Sequence, residues 1–548
     1  MTNEEMMSRL YKRMTAEQQK YKEWLLEQPP NVILDNACKF TVREDIVMEQ
    51  MAAMKKFHEL DIPHSGFYAE GAGATFYGEY KKEELYKVVS FGERHGFKVF
   101  SWQFPNMTQE LAQELLPECP KEELPITRNK NDEEEKLPVY IDFSHPRAKE
   151  LLAAQWKDRM DAGIRGSMVD FGDVVPDEAV FYDGRRGDEM HNAYAYQYAK
   201  NYRELFEQKY GDDHVLYTRG AAPGSQHFAC QFGGDQLTSF QGLKYAIAGG
   251  LSAAASGLPF WGVDAGGYSG FADEETYLRW TEFATFSPIM RFHGVTPREP
   301  WAYSRYAVSV YKFYAWLREN LLKYSVHTAE EAHKTGIPMM RPLPMVFPED
   351  KEAVYWEDEY FYGSDLLVAP VHQEGEKRRI YFPSGSWINL LDFRKVGGNR
   401  IFQVDVPIDK IPVYIREGAC ILSVMNGELQ LGQSMTYEKK NTVLMSRALN
   451  ETSGKRYADG KEIEYNILGK TGEDFFMLRH AFETEFIVLL GFDRKPESLE
   501  LNGVSLSEGA SLNALNYGSG WYWREDTAVV VSVPKLEKTE IHVIHKEQ

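Results

Sequence analysis

Cysteine is scarce in this sequence. Four cysteines (Cys38, Cys119, Cys230 and Cys420) are spread over 548 residues, and no two of them have CxxC spacing. Zinc knots and disulfide frameworks need closely spaced cysteines, so neither is predicted, and we expect a reducing compartment. The sequence also lacks an HExxH motif and a histidine-rich cluster, so it indicates no catalytic metal.

Positive charge is also in short supply. Lys and Arg total 62 against 82 Asp and Glu, which gives a net charge of −20, and no Lys/Arg-rich block is present. Nucleic acids and anionic membranes attract basic surfaces, so we expect neither as a partner. No apolar run approaches the roughly 18 residues of a membrane span, and the first residues, MTNEEMMSRLYKRM, contain acidic side chains and no apolar signal-peptide core. The predicted location is the cytoplasm.

The length excludes a small binding module. A chain of 548 residues exceeds the roughly 100 to 250 residues usual for one domain and predicts two to four. From Asn31 to about Lys334, short apolar runs alternate with longer stretches of helical period, which is typical of parallel strands joined by crossover helices. The candidate strands number eight, enough to close a (β/α)8 TIM barrel: NVILD (31–35), SGFYAE (65–70), KVFSWQF (98–104), GSMVDFG (166–172), VLYTRG (215–220), CQFGGDQ (230–236), LPFWGVD (258–264) and PIMRFH (288–293).

The predicted fold class is α/β, a TIM barrel followed by two β-sandwich-like domains. Beyond Gly336 the sequence becomes dense in β-branched and aromatic residues interrupted by Gly and Pro, which favours antiparallel β-structure. The predicted division is an N-terminal helical extension (1–29), a catalytic barrel (30–335) with a polar surface insertion at about 107–136, a proximal β-sandwich (336–433) and a distal β-domain (434–548).

Polar or charged residues stand at the ends of most predicted strands. In a parallel barrel these ends converge on one rim, where barrel enzymes place their sites. A single Asp at a strand end is equally consistent with capping of the following helix, but seven such ends together favour a functional site. They are Glu70, Trp102, Asp170, Arg219, Asp235, Asp264 and His293.

Two of these carboxylates suit glycosidic cleavage. Asp170 would be held rigidly at the end of a strand, whereas Asp235 follows two glycines in a loop. Hydrolysis of a glycoside needs one carboxylate to attack or stabilise the sugar and another to donate a proton to the leaving oxygen. Asp173 is a competing candidate for the first role, but the turn at Gly172 directs it away from the centre.

Other residues near the rim have less specific interpretations. Arg219, isolated in an apolar run, is expected to pair with a rim carboxylate and keep it ionised. Phe232 and Trp261 lie close to rim carboxylates and are the best candidates for stacking on a sugar, although each aromatic is individually more typical of a core. The glycine-rich stretches GAGA and AGGYSG lack the context of a nucleotide-binding motif.

At these residues the sequence resembles glycoside hydrolase family 31, the α-glucosidase, α-xylosidase and sulfoquinovosidase family. The resemblance runs in order from about Pro29 to Val424 and is strongest in MVDFGDVVP, MHNAYAYQYAK, FGGDQLTSFQGLKYAIAGGLSAAASGLPFWGVDAGGY and FSPIMRFHG. GIPMMRPL, YFYGSDLLVAPV and RIYFPSGSWINL look like the end of the family's barrel and its first C-terminal sandwich. The family's usual N-terminal β-sandwich is not recognised before NVILD.

The resemblance implies a retaining α-glycosidase that needs no cofactor. Asp170 would be the nucleophile and Asp235 the acid/base. Arg219, Asp264 and His293 match positions that hold the sugar, and Glu70 falls where the family selects among sugars. Further candidates for substrate binding are Trp102, Phe232, Trp261 and Arg291. A carboxylate at Glu70 would repel a sulfonate, so the expected substrate is an α-glycoside or oligosaccharide with a terminal neutral, glucose-like or galactose-like sugar. We also expect a homo-oligomer in which a neighbouring chain borders the pocket.

Several alternatives stay open. Within the family they are a sulfoquinovosidase, an α-xylosidase, an α-N-acetylgalactosaminidase and a transglycosylase. A catalytically idle carbohydrate-binding relative is another alternative, against which the presence of both Asp170 and Asp235 argues. A metal-dependent barrel enzyme would need ligand clusters that the sequence lacks.

Overall fold

A computed structural model describes residues 44–69, 82–128, 139–481, 483–524 and 528–546. Within the described residues, the chain divides into two compact units, one of residues 44–234 and one of residues 235–546. We refer to them as the first unit and the second unit.

The first unit is built on a parallel sheet in the order β1-β2-β5-β6-β7, and a short antiparallel pair, β3-β4, lies outside it. The strands are β1 (Gly66–Tyr68), β2 (Lys98–Gln103), β3 (Asn106–Met107), β4 (Val139–Tyr140), β5 (Gly166–Val169), β6 (Val215–Thr218) and β7 (Cys230–Phe232). The helices are α1 (Glu44–Glu59), α2 (Lys82–Arg94), α3 (Gln109–Leu115), α4 (Ala148–Ala162) and α5 (Gly187–Tyr210).

Local signals explain where these helices end and what they bury. Helix α4 stops at Gly163, which has a φ of 101° and donates its N–H to the carbonyls of Arg159 and Met160. A left-handed residue of this kind is strained for any side chain, so glycine is the expected C-cap. Helices and strands enclose one apolar core, whose largest members include the fully buried Trp156, Tyr194 and Tyr202.

The segment predicted as a polar surface insertion is partly internal. Residues 107–128 contain helix α3 and contribute buried side chains, including Met107, Ala112 and Leu124, to the core of the first unit. The prediction of a polar insertion rests on the run NKNDEEEK, all of which lies outside the described residues, and does not account for the apolar positions that precede it. This part of the chain therefore helps to build the first unit.

The second unit begins with two parallel strands and four helices. The strands are β8 (Trp261–Asp264) and β9 (Ile289–Arg291), and the helices are α6 (Phe240–Ala255), α7 (Glu274–Thr285), α8 (Arg305–Asn320) and α9 (Leu322–Thr335). Side chains of Ser239, Asp273 and Ser304 accept hydrogen bonds from backbone N–H groups in the first turns of α6, α7 and α8. These N-caps fix the start of each helix.

Seven of the eight predicted barrel strands are present, each shorter than its sequence run by one to four residues. The eighth, NVILD, lies outside the described residues. The alternation of parallel strands and helices is that of a TIM barrel. Within the described residues, no helix combines the length and the apolar character needed to cross a bilayer.

The proximal β-domain contains an antiparallel sheet in the order β10-β11-β12-β17-β14-β15 and a separate ribbon, β13-β16. Side chains from both, among them Phe361, Ile380 and Trp387, form one core. The elements are β10 (Met340–Pro342), α10 (Leu343–Val346), β11 (Tyr360–Tyr362), β12 (Leu366–Val368), β13 (Lys377–Phe382), β14 (Ser386–Asn389), β15 (Lys395–Gly397), β16 (Arg400–Asp405) and β17 (Val413–Arg416).

The distal β-domain is a sandwich of two sheets, β18-β19-β23-β27-β26 and β20-β21-β22-β28-β24-β25, with a shared core. Its first strand starts before the boundary predicted at 434, because Cys420–Met425 pairs with Lys440–Ser446. The strands are β18 (Cys420–Met425), β19 (Lys440–Ser446), β20 (Thr452–Ala458), β21 (Lys461–Lys470), β22 (Glu473–Arg479), β23 (Phe486–Leu490), β24 (Ser498–Leu501), β25 (Val504–Leu506), β26 (Gly520–Arg524), β27 (Ala528–Ser532) and β28 (Lys538–Ile544).

Candidate active site

Asp170 follows strand β5 directly and is only 4% exposed. The indole Nε1 of Trp102, on the neighbouring strand β2, donates to its Oδ2 at 3.1 Å. Its Oδ1 accepts the backbone N–H of Phe171 at 2.8 Å and lies 3.2 Å from Nε of Arg219. Two N–H donors and one cation favour the ionised carboxylate and fix its orientation, which are properties required of a nucleophile.

Arg219 is held by more than its ion pair. It follows strand β6, and its guanidinium lies 4.0 Å from the centre of the Phe171 ring. Phe171 itself has a φ of 56°, a left-handed conformation that is uncommon for a bulky residue. The predicted pairing of Arg219 with a rim carboxylate is therefore present, and the strained residue next to Asp170 supplies both an N–H donor and an aromatic face.

Asp173, the competing nucleophile candidate, has a different environment. Its side chain is 42% exposed, and its Oδ1 lies 4.0 Å from Nε of Arg219. Asp173 is thus the more exposed of the two carboxylates and lies farther than Asp170 from the same nitrogen of Arg219. This arrangement favours Asp170 over Asp173 for attack on a substrate.

Asp235 is exposed and belongs to the second unit, in the loop between strand β7 and helix α6. The residue before it, Gly234, has a φ of 78°, and the N-cap of α6, Ser239, comes four positions later. A carboxylate on a short loop that a helix cap holds in place is both accessible and positioned, which suits a group that exchanges protons with a substrate.

Asp264 and Arg291 form a buried ion pair across the neighbouring strands β8 and β9. Burial raises the pKa of Asp264 to about 6; the charge of Arg291 opposes the rise and that of Asp235 adds to it. Asp264 is therefore sensitive to changes in pH just below neutrality.

His293 lies beyond the end of strand β9, with its ring centre 5.1 Å from that of Tyr268. Removal of water from the ring, together with the charges of Arg291 and Arg298, lowers the pKa of His293 to about 3. The neutral imidazole keeps one donor and one acceptor nitrogen, which suits recognition of sugar hydroxyls.

The positions of Trp261 and Phe232 do not support stacking of either ring on a sugar. The Trp261 ring packs closely against helix α6 at Gly250. A Cβ added at Gly250 would lie only 2.7 Å from Cζ3 of Trp261. Side chains alternate along a strand, so Trp261 faces the helix layer and Asp264 the opposite side. This corrects the expectation that Trp261 stacks on substrate. Phe232 is 3% exposed and packs on Tyr217 at 4.9 Å between ring centres, a place within the core of the first unit.

Glu70, the predicted selector among sugars, lies outside the described residues. In the part of the chain that the structure describes, no three His, Cys, Asp or Glu side chains are grouped so that they could hold a metal ion. Sequence reasoning missed Tyr268 and Arg298, which contact the loops around Asp235. Arg298 stands between prolines in TPREP, and that pattern carries no specific signal for this role.

The paired strands, the rim carboxylates and the C-terminal β-domains are those of a barrel-type carbohydrate-active protein, and comparison with known proteins agrees. Residues 36–328 match the family described as the glycosyl hydrolases family 31 TIM-barrel domain. Residues 336–421 match the glycosyl hydrolase family 31 C-terminal domain. The chain belongs to glycoside hydrolase family 31.

Relatives within the family have several activities. An isomaltosyltransferase of Sporosarcina globispora is 30% identical over 421 residues, which are 73% of this chain and 38% of the relative. An α-xylosidase of Emericella nidulans is 31% identical over 290 residues, 51% of this chain and 37% of the relative. Other relatives are α-glucosidases and sulfoquinovosidases. The chain thus spans between 37% and 44% of the length of these proteins.

A solved structure supports the fold. The cycloalternan-forming enzyme from Listeria monocytogenes, in complex with a pentasaccharide substrate, superposes with a TM-score of 0.81 at 23% identity. The superposition covers 91% of this chain and 53% of the other. The architecture from the barrel to the distal β-domain is therefore shared.

Proposed function

We propose that the protein is a retaining α-glycoside hydrolase that removes a terminal α-linked neutral sugar by double displacement. Asp170 is the nucleophile and Asp235 the acid/base. The observation that carries this proposal is the carboxylate of Asp170, oriented by Trp102, Arg219 and the N–H of Phe171. Membership in glycoside hydrolase family 31 supports the same reading.

The reaction has two steps. In the first, a carboxylate oxygen of Asp170 forms a bond to the anomeric carbon, the bond from that carbon to the leaving oxygen breaks, and Asp235 gives its proton to that oxygen. In the second, Asp235 takes a proton from water, whose oxygen bonds to the anomeric carbon as the ester to Asp170 breaks. Asp264, Arg291 and His293 are proposed to bind hydroxyl groups of the sugar.

The described rim arginines favour a neutral sugar. Arg219 is paired with Asp170, Arg291 with Asp264, and Arg298 donates to backbone carbonyls. A sulfonate would have to compete with these partners for a cation. A substrate without charge leaves each of these contacts in place, so a glucose-like or galactose-like sugar is preferred to a sulfoquinovoside.

Transglycosylation is a second candidate, because the isomaltosyltransferase relative aligns with nearly three quarters of this chain. Both reactions share the first step and differ in whether water or a sugar hydroxyl attacks the ester. Incubation of a donor glycoside with maltose or isomaltose distinguishes them: longer oligosaccharides indicate transfer, whereas release of free sugar indicates hydrolysis.

The test begins with a panel of p-nitrophenyl α-glycosides, including glucoside, galactoside, xyloside, N-acetylgalactosaminide and sulfoquinovoside. Asp170→Asn should lower the turnover of every accepted substrate by at least about 1000-fold, because no ester can form. A fluorinated α-glycosyl fluoride should label a peptide at Asp170. Asp173→Asn is the matched control and should still be labelled at Asp170; a label on Asp173 in the unmodified protein would overturn the assignment.

We also propose a cytoplasmic location and a closed homo-oligomer. In the described part of the chain, Cys119, Cys230 and Cys420 are free thiols, which is consistent with a reducing compartment. Two-fold dimers are the commonest assemblies of soluble proteins. Cell fractionation tests the location. Sedimentation tests the assembly, and a monomer with full activity at nanomolar concentration would contradict it.

A further inference from the structure

Backbone hydrogen bonds join the loop that carries Asp235 to the loop that follows strand β8. The carbonyl of Gln236 accepts hydrogen bonds from the backbone N–H groups of Tyr268 and Ser269, both at 2.9 Å. The N–H of Thr238 donates to the carbonyl of Ser269 at 3.0 Å. The position of Asp235 therefore depends on the position of residues 268–270.

Arg298 joins these loops through one side chain, which is 4% exposed. Its Nε donates to the carbonyl of Gly267 at 2.8 Å, and its Nη2 donates to the carbonyl of Gly270 and to Oγ1 of Thr238, each at 3.0 Å. Its Nη1 donates to the carbonyl of Thr296 at 3.2 Å and also to the hydroxyl of that residue. A single guanidinium thus connects the loops after β7, β8 and β9.

The glycines of AGGYSG make room for this arrangement. A Cβ at Gly266 would lie 2.9 Å from Cδ of Arg298. Outside this stretch, in the loop after β9, a Cβ at Gly294 would lie 2.9 Å from Nε of Arg298. At Gly267, where φ is +76°, a Cβ would lie 2.7 Å from Cα of Thr238. The glycine-rich stretch therefore leaves space for the side chain of Arg298 and lets the loops after β7 and β8 approach each other closely.

We infer that Arg298 is a positioning residue for the acid/base, holding the loop of Asp235 so that its carboxyl group can reach the leaving oxygen. The inference rests on the proposed function, since it requires Asp235 to be the acid. In this role Arg298 acts through Thr238 and the backbone of residues 267–270.

The role has a characteristic kinetic signature. A general acid must lie within hydrogen-bonding distance of the oxygen that it protonates, and its contribution is largest for leaving groups of high pKa. Displacement of the Asp235 loop should therefore slow the cleavage of substrates with poor leaving groups. Substrates whose leaving group departs without a proton should be spared, because Asp170 and its partners Trp102 and Arg219 lie in the first unit.

The test compares Arg298→Lys with Arg279→Lys. Arg279 is also buried and also donates to backbone carbonyls, those of Val406, Pro407 and Lys410, but none of these belongs to the loop of Asp235. Each variant is assayed with the 2,4-dinitrophenyl and the methyl α-glycoside of the preferred sugar. For Arg298→Lys we expect kcat/KM to fall about 100-fold on the methyl glycoside and less than about 5-fold on the dinitrophenyl glycoside.

Arg279→Lys should lower kcat/KM equally for both substrates, or not at all. Thr238→Val removes only the hydroxyl that accepts from Arg298. It should also lower kcat/KM more on the methyl glycoside than on the dinitrophenyl glycoside, by a smaller factor. If Arg298→Lys does not fold, Thr238→Val is the test of the inference. Equal losses on both substrates in Arg298→Lys, or in Thr238→Val if the former does not fold, would overturn the inference.

Asp235→Ala separates the two claims. If it shows a steep leaving-group dependence while Arg298→Lys does not, the inference about Arg298 fails and the proposed function stands. If Asp235→Ala itself loses activity equally on both substrates, Asp235 is not the acid, and the proposed function fails first.

Discussion

Trp102 donates its indole N–H to Oδ2 of Asp170 at 3.1 Å, from the strand that pairs with the one preceding Asp170. Because both residues stand at the ends of adjacent strands, the hydrogen bond is built into the sheet. It stabilises the charged form of the carboxylate and limits its rotation, so the sheet itself orients Asp170 as the proposed attack requires.

The first prediction concerns this bond. Trp102→Phe keeps an aromatic ring beside Phe104, 4.1 Å away between ring centres, but removes the donor. A hydrogen bond to a charged group contributes about 1.5–3 kcal/mol, so we expect kcat/KM for an activated aryl glycoside to fall about 10- to 100-fold. Trp156→Phe is the control, since Trp156 donates to Tyr202 in the core of the same unit. A loss in the control as large as that in Trp102→Phe would contradict the prediction.

The second prediction concerns Asp264, whose pKa is raised to about 6. As the pH falls through this value, Asp264 gains a proton and Arg291 loses its anionic partner. We therefore expect kcat/KM to decline below about pH 6, and Asp264→Asn, although less active, to lack this decline. A profile of kcat/KM between pH 4.5 and pH 7.5 measures this decline. The control is Asp365→Asn, which weakens another buried ion pair of the second unit, that of Asp365 with Arg456. An unchanged acidic limb in Asp264→Asn would refute the assignment.

The third prediction follows from the left-handed backbone at Phe171. β-Branched side chains are especially unfavourable at positive φ, so Phe171→Val should be less stable than Phe171→Leu by about 1 kcal/mol, although both remove the ring beneath Arg219. Urea denaturation of the two variants in parallel measures the difference. Equal midpoints would show that the backbone relaxes when the ring is lost.

The fourth prediction concerns His327 in helix α9, which is 2% exposed. Its Nδ1 accepts the N–H of Tyr457 at 3.1 Å, and burial together with nearby cations lowers its pKa to about 3. The unfolded chain binds a proton below about pH 6.5 while the folded protein does not, so stability falls as the pH drops from 6.5 towards 3. At pH 5 this loss amounts to about 2 kcal/mol.

His327→Gln should remove that part of the pH dependence. The amide oxygen can still accept the N–H of Tyr457, so the variant isolates the effect of titration. His333→Gln, at an exposed position of the same helix, is the control and should behave like the unmodified protein. Chemical denaturation of the unmodified protein and both variants at pH 7.5 and pH 5 gives the stabilities that are compared. An undiminished loss of stability in His327→Gln would contradict the prediction.

Much of the barrel could be predicted from sequence because its signals are local. An apolar run that ends in a polar residue and a turn, as at Asp170 or Arg219, indicates both a strand and the side chain at its end. Pairing of Arg219 with a carboxylate followed from the cost of burying an unpaired cation. These features need no knowledge of the rest of the chain.

The failures share a different origin. Which face of strand β8 carries Trp261 depends on the helix layer that packs on it, and a run such as LPFWGVD, apolar on both faces, does not reveal this. Arg298 contacts residues 28 to 60 positions earlier in the chain, so its role depends on how three loops meet. The buried part of residues 107–128 was hidden by the charged run that follows it.

Strand β18 belongs to the distal sandwich although it precedes the boundary predicted at residue 434. Its residues are almost entirely buried, and its pairing partner is β19, well beyond the family match that ends at residue 421. A protein truncated after residue 433 would retain this apolar strand without the strand that covers its edge, and an uncovered edge of this kind recruits other chains. Such a truncated protein should be recovered as insoluble aggregates, so a fragment that keeps residues 420–425 also needs strand β19 of the distal sandwich.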